Sequence, residues 1–331
     1  MNLIQFLDEK NSRCVGVVSQ DRQTVRSLAG TANVRELALS AYRTGVRLAD
    51  VAAAQLGNET FRYDDLLANQ RVLPPLDHPD PAHCLVTGTG LTHLGSAQSR
   101  DAMHTKLQAD TLTDTMKMFK LGLEGGKPAA GAIGIAPEWF YKGDGSCIVA
   151  PEQPIELPSF AEDGGEESEV VGLYVIGDNG EPLRVGFALG NEYSDHKLER
   201  QNYLYLAHSK LRQCSFGPEL LLGELPDQIE GSARILRNGE AVWSSDWLSG
   251  EANMSHTIAN LEHHHFKYAN FRRPGDVHVH YFGAAVLSCL SGFVAEPGDR
   301  FEVSASVFGR ALRNSLAAGT KANTLIEVQS L

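Results

Sequence analysis

From residue 137 onward the sequence is cut into short apolar runs by glycine, proline, aspartate and asparagine, and this punctuation restricts the fold more than any other feature. The runs read WFYKG, SCIVAP, VVGLYVIG, RVGFALG, SARILRNG, DVHVHYFGAAVLS and RFEVSASVFG. They are too many and too unevenly linked for repeated strand–helix–strand units, which sets aside a doubly wound sheet. The expected fold class is α+β, a β-rich roll or barrel.

The N-terminal third reads differently. LIQFLD, RCVGVVS and TVRSLAG are three short strands, and a helix follows over roughly 33–51, with Asn33 as N-cap, Glu36 three residues later, and Val34, Leu37, Leu39, Ala41, Val46, Leu48 and Val51 on its apolar face. Pro74, Pro75, Pro79 and Pro81 crowd LPPLDHPDPAH, a stretch unable to continue a helix or a central strand. The expected division is a small N-terminal α/β domain over 1–72, a linker over 73–83 and a catalytic domain over 84–331. A long helix is expected over 96–122.

With 42% hydrophobic residues among 331, the chain has material for a large core. Its net charge of −12 disfavours nucleic acid and anionic membrane as partners, since both repel it. MNLIQFLDEK lacks the basic-then-apolar layout of a secretory signal, and no apolar run of about 18 residues is present. The cytoplasm is therefore expected. Five cysteines, widely spaced and never in a C-x-x-C pair, read as reduced thiols.

Chemistry gathers in DGGEESEVVGLYVIG. Glu167 and Glu169 are two apart and share a face if the strand begins there. The same pattern also describes a solvated acidic turn, but RVGFALGNEYSDH supplies Glu192 after an apolar strand and a Gly-Asn turn. Carboxylates from two strands suit a hard cation such as Mg²⁺, Mn²⁺ or Ca²⁺. Lys210, in NYLYLAHSK, precedes a Phe-Gly-Pro turn. His278 and His280 alternate on one strand face and His263, His264 and His265 are consecutive, but no His/Asp set completes a zinc site. No G-x-S-x-G elbow and no G-x-G-x-x-G fingerprint occurs.

The order GTGLTHLGSAQSRDAM, PEWFYKG, ESE, GNEYSDH, NYLYLAHSK, FGP, RPGDVHVHYFGAAVLS and EPGDRFEV…FGRALRN resembles the catalytic domain of the fumarylacetoacetate hydrolase family, over roughly 83–315. Within it the resemblance is to the sugar-acid branch with 2-keto-3-deoxypentonate (2-keto-3-deoxy-arabinonate) dehydratases. The resemblance implies a divalent metal on Glu167, Glu169 and Glu192, catalytic roles for Lys210 and His93, and substrate contacts at Lys142, Phe140, Thr89, Ser194, Arg310 and Asn314. Two departures stand. The family has Asp where Glu192 lies, and the E-x-E sits two residues further from the Ile-Gly end of its strand, which leaves Glu166 open as a ligand.

The implied reaction is loss of water from a 2-keto-3-deoxypentonate to 2-ketoglutarate semialdehyde through a metal-stabilised enolate. The alternative is hydrolysis of a C–C bond in a 2,4-diketo-3-deoxy sugar acid to pyruvate and a hydroxy acid. Hydrolytic members carry a His and Glu that activate water, whereas His93 here lacks a clear acidic partner, so dehydration is preferred. A homodimer is expected, with LEHHHFKYANF as contact material.

Overall fold

The structure, a computed structural model, describes residues 1–95 and 112–331. Of the helix expected over 96–122, the described part is Asp114–Gly125, whose first turn is capped by Thr113 through Met116 N at 3.2 Å. Residues 96–111 lie outside the described residues.

The N-terminal strands form as Asn2–Leu7, Arg13–Val18 and Thr24–Leu28. Asn33 caps the next helix, its Oδ1 accepting from Glu36 N at 2.8 Å. That helix spans Val34–Thr44 only, because Gly45 takes φ of +66°, a left-handed conformation that ends it. The chain then restarts as Leu48–Ala54. The single helix expected over 33–51 is therefore two, and the apolar periodicity ran through the break because both helices rest on the same core.

Two sheets organise the described residues. The main path of the larger runs Leu56–Arg62, Thr24–Leu28, Arg13–Val18, Asn2–Leu7, Leu220–Leu221, Pro182–Asn191, Ser168–Ile176, Val277–Tyr281, Cys84–Gly90 and Glu138–Asp144. Asn2–Leu7 pairs antiparallel with Leu220–Leu221, so residues 1–72 share this sheet with the rest of the chain. The smaller sheet runs Glu240–Ser249, Ile229–Arg237, Arg300–Ala305, Leu312–Ala318 and Ile155–Leu157. The architecture is sheet-rich and mixed, with parallel pairing of Val277–Tyr281 to Cys84–Gly90.

Ser168–Ile176 is buried along its whole length. A strand covered on both faces reads as a continuous apolar run rather than an alternating one, and this is why VVGLYVI shows no period of two. It pairs antiparallel with Pro182–Asn191, Glu169 opposite Gly190. A side chain at Gly190 would meet Val171 at 2.4 Å and Tyr281 at 2.6 Å, so glycine is what permits the close approach there.

LEHHHFKYANF is largely spent inside the chain. His264, His265, Phe266 and Phe271 are buried, leaving Tyr268 as its exposed aromatic. The surface expected there is a core element, because the helix Ile258–Phe266 packs on the large sheet through Tyr174, His278 and His280. All five cysteines are free thiols. No helix among the described residues is long and apolar enough to cross a membrane.

Candidate metal centre

The antiparallel hairpin continues past its last regular pair. Glu192 N donates to Glu167 O at 3.0 Å, and Gly165 and Ser194 exchange two backbone hydrogen bonds at 3.0 Å each. Asn191, of the Gly-Asn turn, fixes the crossing by accepting from Glu167 N at 3.3 Å and Tyr193 N at 3.2 Å. Glu167 and Glu192 thus face each other across the pair, and Glu169 lies two residues along. Ligand oxygens of Glu167, Glu169 and Glu192 all lie within 4.8 Å of one another, and none of the three residues is more than 2% exposed.

Three carboxylates removed from water are sustained only by matched cations and donors. Lys210, at the end of the short helix Leu206–Lys210, bridges Glu167 and Glu192 and reaches Ser194 Oγ at 3.1 Å. Its ammonium sits 4.7 Å from the centre of the Phe140 ring. Lys142 donates to Glu192 Oε1 at 2.6 Å, to the Tyr193 carbonyl at 2.7 Å and to the Lys210 carbonyl at 3.0 Å. His196 Nε2 lies 3.1 Å from Glu167 Oε1.

Glu169 is the least compensated. Gly283 N donates to its Oε2 at 2.7 Å, while Oε1 is buried with no hydrogen-bond partner. Burial first, then the neighbouring Glu192 and Glu167, push its carboxyl well above the usual range. Glu192 is also raised, chiefly by burial and against the pull of Lys142 and Lys210.

These residues fit a hard divalent cation. All donors are carboxylate oxygens, one of them buried without a partner. Cation–oxygen distances of about 2.1 Å for Mg²⁺ and about 2.4 Å for Ca²⁺ place ligand oxygens roughly 3–5 Å apart, and the three here lie within 4.8 Å of one another. Glu166, left open by the sequence, turns the other way and accepts from Ser288 N at 2.9 Å and Ser288 Oγ at 2.7 Å. Its carboxylate anchors the turn Ser288–Ser291, and it stands outside the trio.

The structure brings Lys210, Lys142, Phe140 and Ser194 to the trio and leaves other expected site residues elsewhere. Thr89 Oγ1 donates to the Tyr281 carbonyl at 3.3 Å. His93 is buried, bonded to Thr92 Oγ1 at 3.1 Å and Ser249 Oγ at 2.9 Å, and burial pulls it down to about 4. A cavity of about 840 Å³ is lined by His93, Trp247, Asn253 and Ala285, among others, and by none of the three glutamates. It lies beside the centre, across Gly283.

Arg310 is tied to the N-terminal strands. Its guanidinium donates to the Arg22 carbonyl at 2.9 Å and pairs with Asp64 at 2.7 Å, and its N–H donates to Glu219 at 2.9 Å. Asn314 donates to the carbonyls of Ala150 and Gln153, at 3.1 and 2.9 Å. These bonds join strands and loops, and nothing in them reaches the carboxylates.

Sequence reasoning missed Glu138, Tyr203, His196 and Gly283. Glu138, Phe140 and Lys142 alternate along Glu138–Asp144, so they share one face, and buried Glu138 accepts from Tyr203 Oη. That period of two was the signal available. The Gly283 amide and the imidazole of His196 carried none, because each acts through its place in the fold.

No family model matches the sequence. A "probable 2-keto-3-deoxyxylonate dehydratase" of Haloferax volcanii is 27% identical over 224 residues, which cover 66% of this chain and 65% of that protein. The match thus spans just under two thirds of the relative's length. Among solved structures, the apo form of a 2-keto-3-deoxy-D-arabinonate dehydratase superposes with a TM-score of 0.70 at 18% identity, covering 97% of this chain and all of the other. The same enzyme complexed with magnesium and 2,5-dioxopentanoate gives 0.69, with the same identity and coverage. A 5-carboxymethyl-2-hydroxymuconate delta-isomerase from Mycobacterium smegmatis gives 0.57 at 17% identity, covering 96% of this chain and all of that one. The likeness in sequence and in fold thus runs to 2-keto-3-deoxypentonate dehydratases, in keeping with the resemblance to the sugar-acid branch of the fumarylacetoacetate hydrolase family.

Proposed function

We propose that this chain is a metal-dependent hydro-lyase that removes water from a 2-keto-3-deoxy sugar acid of pentonate size, with Glu167, Glu169 and Glu192 holding Mg²⁺, or Mn²⁺ or Ca²⁺ in its place. The observation that carries this reading is the buried carboxylate trio, within 4.8 Å, met by two lysines whose side chains are fully buried. The names of the Haloferax relative and of the magnesium-bearing structural neighbour support it. When bound, the cation supplies Lewis-acid withdrawal of electrons from a 2-keto group, which makes the adjacent C–H acidic.

The protein's own groups do the rest. Lys142, with three acceptors fixed around it, holds Glu192 in place. Lys210 is the group that binds the substrate carboxylate or moves a proton, and the Phe140 ring packs against its ammonium. Glu138, on the Phe140 and Lys142 face, is the carboxyl outside the trio available for the second proton step that dehydration requires.

Hydrolysis of a C–C bond would need an activated water as well. His93 is committed to Thr92 and Ser249 and contacts no carboxylate, which favours dehydration. The fold is read as a fumarylacetoacetate-hydrolase-type roll with residues 1–72 as a subsidiary unit. A homodimer in the cytoplasm, with neither nucleic acid nor membrane as partner, fits the five free thiols and the charge of −12. The test is incubation of metal-loaded protein with a panel of 2-keto-3-deoxy and 2,4-diketo acids, with products identified by mass. Loss of one water from a 2-keto-3-deoxypentonate is expected. Pyruvate from a 2,4-diketo acid, with no dehydration of any acid in the panel, would overturn the reading.

A further inference from the structure

Lys210 ends a five-residue helix, Leu206–Lys210, which buries only Ser209 and Lys210 itself. Leu204 before it and Leu211 after it are 84% and 51% exposed. A turn this short, with so little apolar anchorage, does not hold its shape alone. The place of the Lys210 ammonium against the glutamates therefore depends on what binds the backbone around it.

That backbone is held by a second buried ion pair. Arg212 Nη2 donates to Asp195 Oδ2 at 2.8 Å, with the two side chains 4% and 0% exposed. Arg212 Nη1 donates to the carbonyls of His208 at 3.2 Å and Leu211 at 2.9 Å, on either side of Lys210, and Arg212 N donates to the Lys210 carbonyl at 2.8 Å. Asp195 lies three residues after Glu192, so it belongs to the stretch that carries a cation ligand. Its N–H donates to the Ser209 carbonyl at 3.1 Å. Its carboxylate is fixed from the other side by the amides of Glu162 at 3.0 Å, Asp163 at 3.4 Å and Leu198 at 3.0 Å. The guanidinium is planar with diverging N–H groups, and it passes the rigidity of Asp195 on to the carbonyls that bracket Lys210. Neither side chain is bonded to a carboxylate of the trio.

We propose that Asp195 and Arg212 are positioning residues for the dehydration, fixing Lys210 at the distance from Glu167 and Glu192 at which it acts on the substrate. The inference rests on the reading of Lys210 as the group that binds the substrate carboxylate or moves a proton. Arg212 acts through Lys210 and through nothing else at the site. Lysine at 212 keeps the charge but, as a single point donor, does not span Asp195 and both carbonyls.

A double-mutant cycle tests this on the Mg²⁺-loaded full chain, with a 2-keto-3-deoxypentonate as probe and single-turnover rates as readout. Arg212→Lys is expected to slow dehydration about 10- to 100-fold, the scale of a displaced catalytic group, with Mg²⁺ affinity by calorimetry retained. In the Lys210→Met background the same substitution is expected to change the rate by less than about twofold, because nothing is left to position. Asp195→Asn, which keeps the side chain's shape and one acceptor oxygen, carries the same comparison if Arg212→Lys does not fold. In crystals of the folded variant, Lys210 is expected to shift while Glu167, Glu169 and Glu192 keep their places. An equal fold-loss in both backgrounds, or an unmoved Lys210, overturns the positioning role and leaves Lys210 its own. Full turnover in Lys210→Met alone overturns the reading of Lys210 and this inference with it.

Discussion

Two of the buried polar clusters among the described residues, the carboxylate trio and a group of histidines, solve the problem of buried polarity in opposite ways. At the hairpin end, Glu167, Glu169 and Glu192 are countered by Lys142, Lys210 and His196. Between the large sheet and the helix Ile258–Phe266, three imidazoles meet without a carboxylate bonded to any of them. His265 Nε2 lies 2.9 Å from His278 Nδ1, and His265 stacks on His280 at 4.4 Å between ring centres. Trp139 Nε1 donates to His265 Nδ1 at 3.3 Å, so the His265 proton is on Nε2 and His278 accepts it. One cluster is built of charges and the other stays neutral. A cation belongs to the first, and acid threatens the second.

The largest expected effect breaks the first cluster's chemistry while sparing its charge centre. Lys210→Met should lower turnover by at least about 10²–10⁴-fold, the range of a positioned acid–base group, with cation affinity nearly intact, because lysine is not a cation ligand. Single-turnover assays alongside calorimetry check both halves.

The second prediction concerns acid. Burial holds His278 at about 4 and His280 at about 3, below the unfolded value of about 6.5. The unfolded chain therefore binds more protons below pH 6.5, and stability falls as pH drops from there toward the folded values. By pH 5 each imidazole accounts for roughly 2 kcal/mol of that loss. His280→Leu removes a single hydrogen bond, to Thr87 at 2.8 Å. Denaturant melts at pH 7 and pH 5 should show a smaller acid loss in this variant, by about 2 kcal/mol. An undiminished loss would place acid sensitivity elsewhere. Excess Mg²⁺ should raise the melting temperature of the wild type and of this variant alike, since the cation acts only on the first cluster.

The smallest effect separates Glu166 from its neighbours. Its carboxylate is satisfied by Ser288, so Glu166→Gln should cost about 1–2 kcal/mol of stability and leave cation affinity unchanged. A tenfold loss of cation affinity would return Glu166 to the ligand set.

The comparison also explains what the sequence made legible. Glu167 and Glu169 are two apart and Glu192 follows a strand end, so local periodicity sufficed to propose them, and family resemblance supplied Lys142, Phe140 and Lys210. Ser288's hold on Glu166, the Gly283 amide on Glu169 and His196 on Glu167 join residues between 29 and 122 positions apart. Such contacts are set by tertiary packing and have no local pattern. The histidines were read as surface or interface because a run of three looks polar. In fact His263 faces outward while His264 and His265 turn inward, as helical spacing requires. Strand boundaries were legible through their turn residues. The joining of Asn2–Leu7 to Leu220–Leu221 was not, because β pairing across more than 200 residues leaves no trace in either segment.

The central claim is that three glutamates from one hairpin hold a divalent cation. Calorimetric titration of Mg²⁺ or Mn²⁺ into the wild type, Glu169→Gln and Glu192→Gln measures this without reference to any substrate. One site per chain is expected in the wild type, with most of its affinity lost in each variant because an amide does not replace a carboxylate on a hard cation. Equal affinity in all three proteins, with both variants folded, would contradict the account.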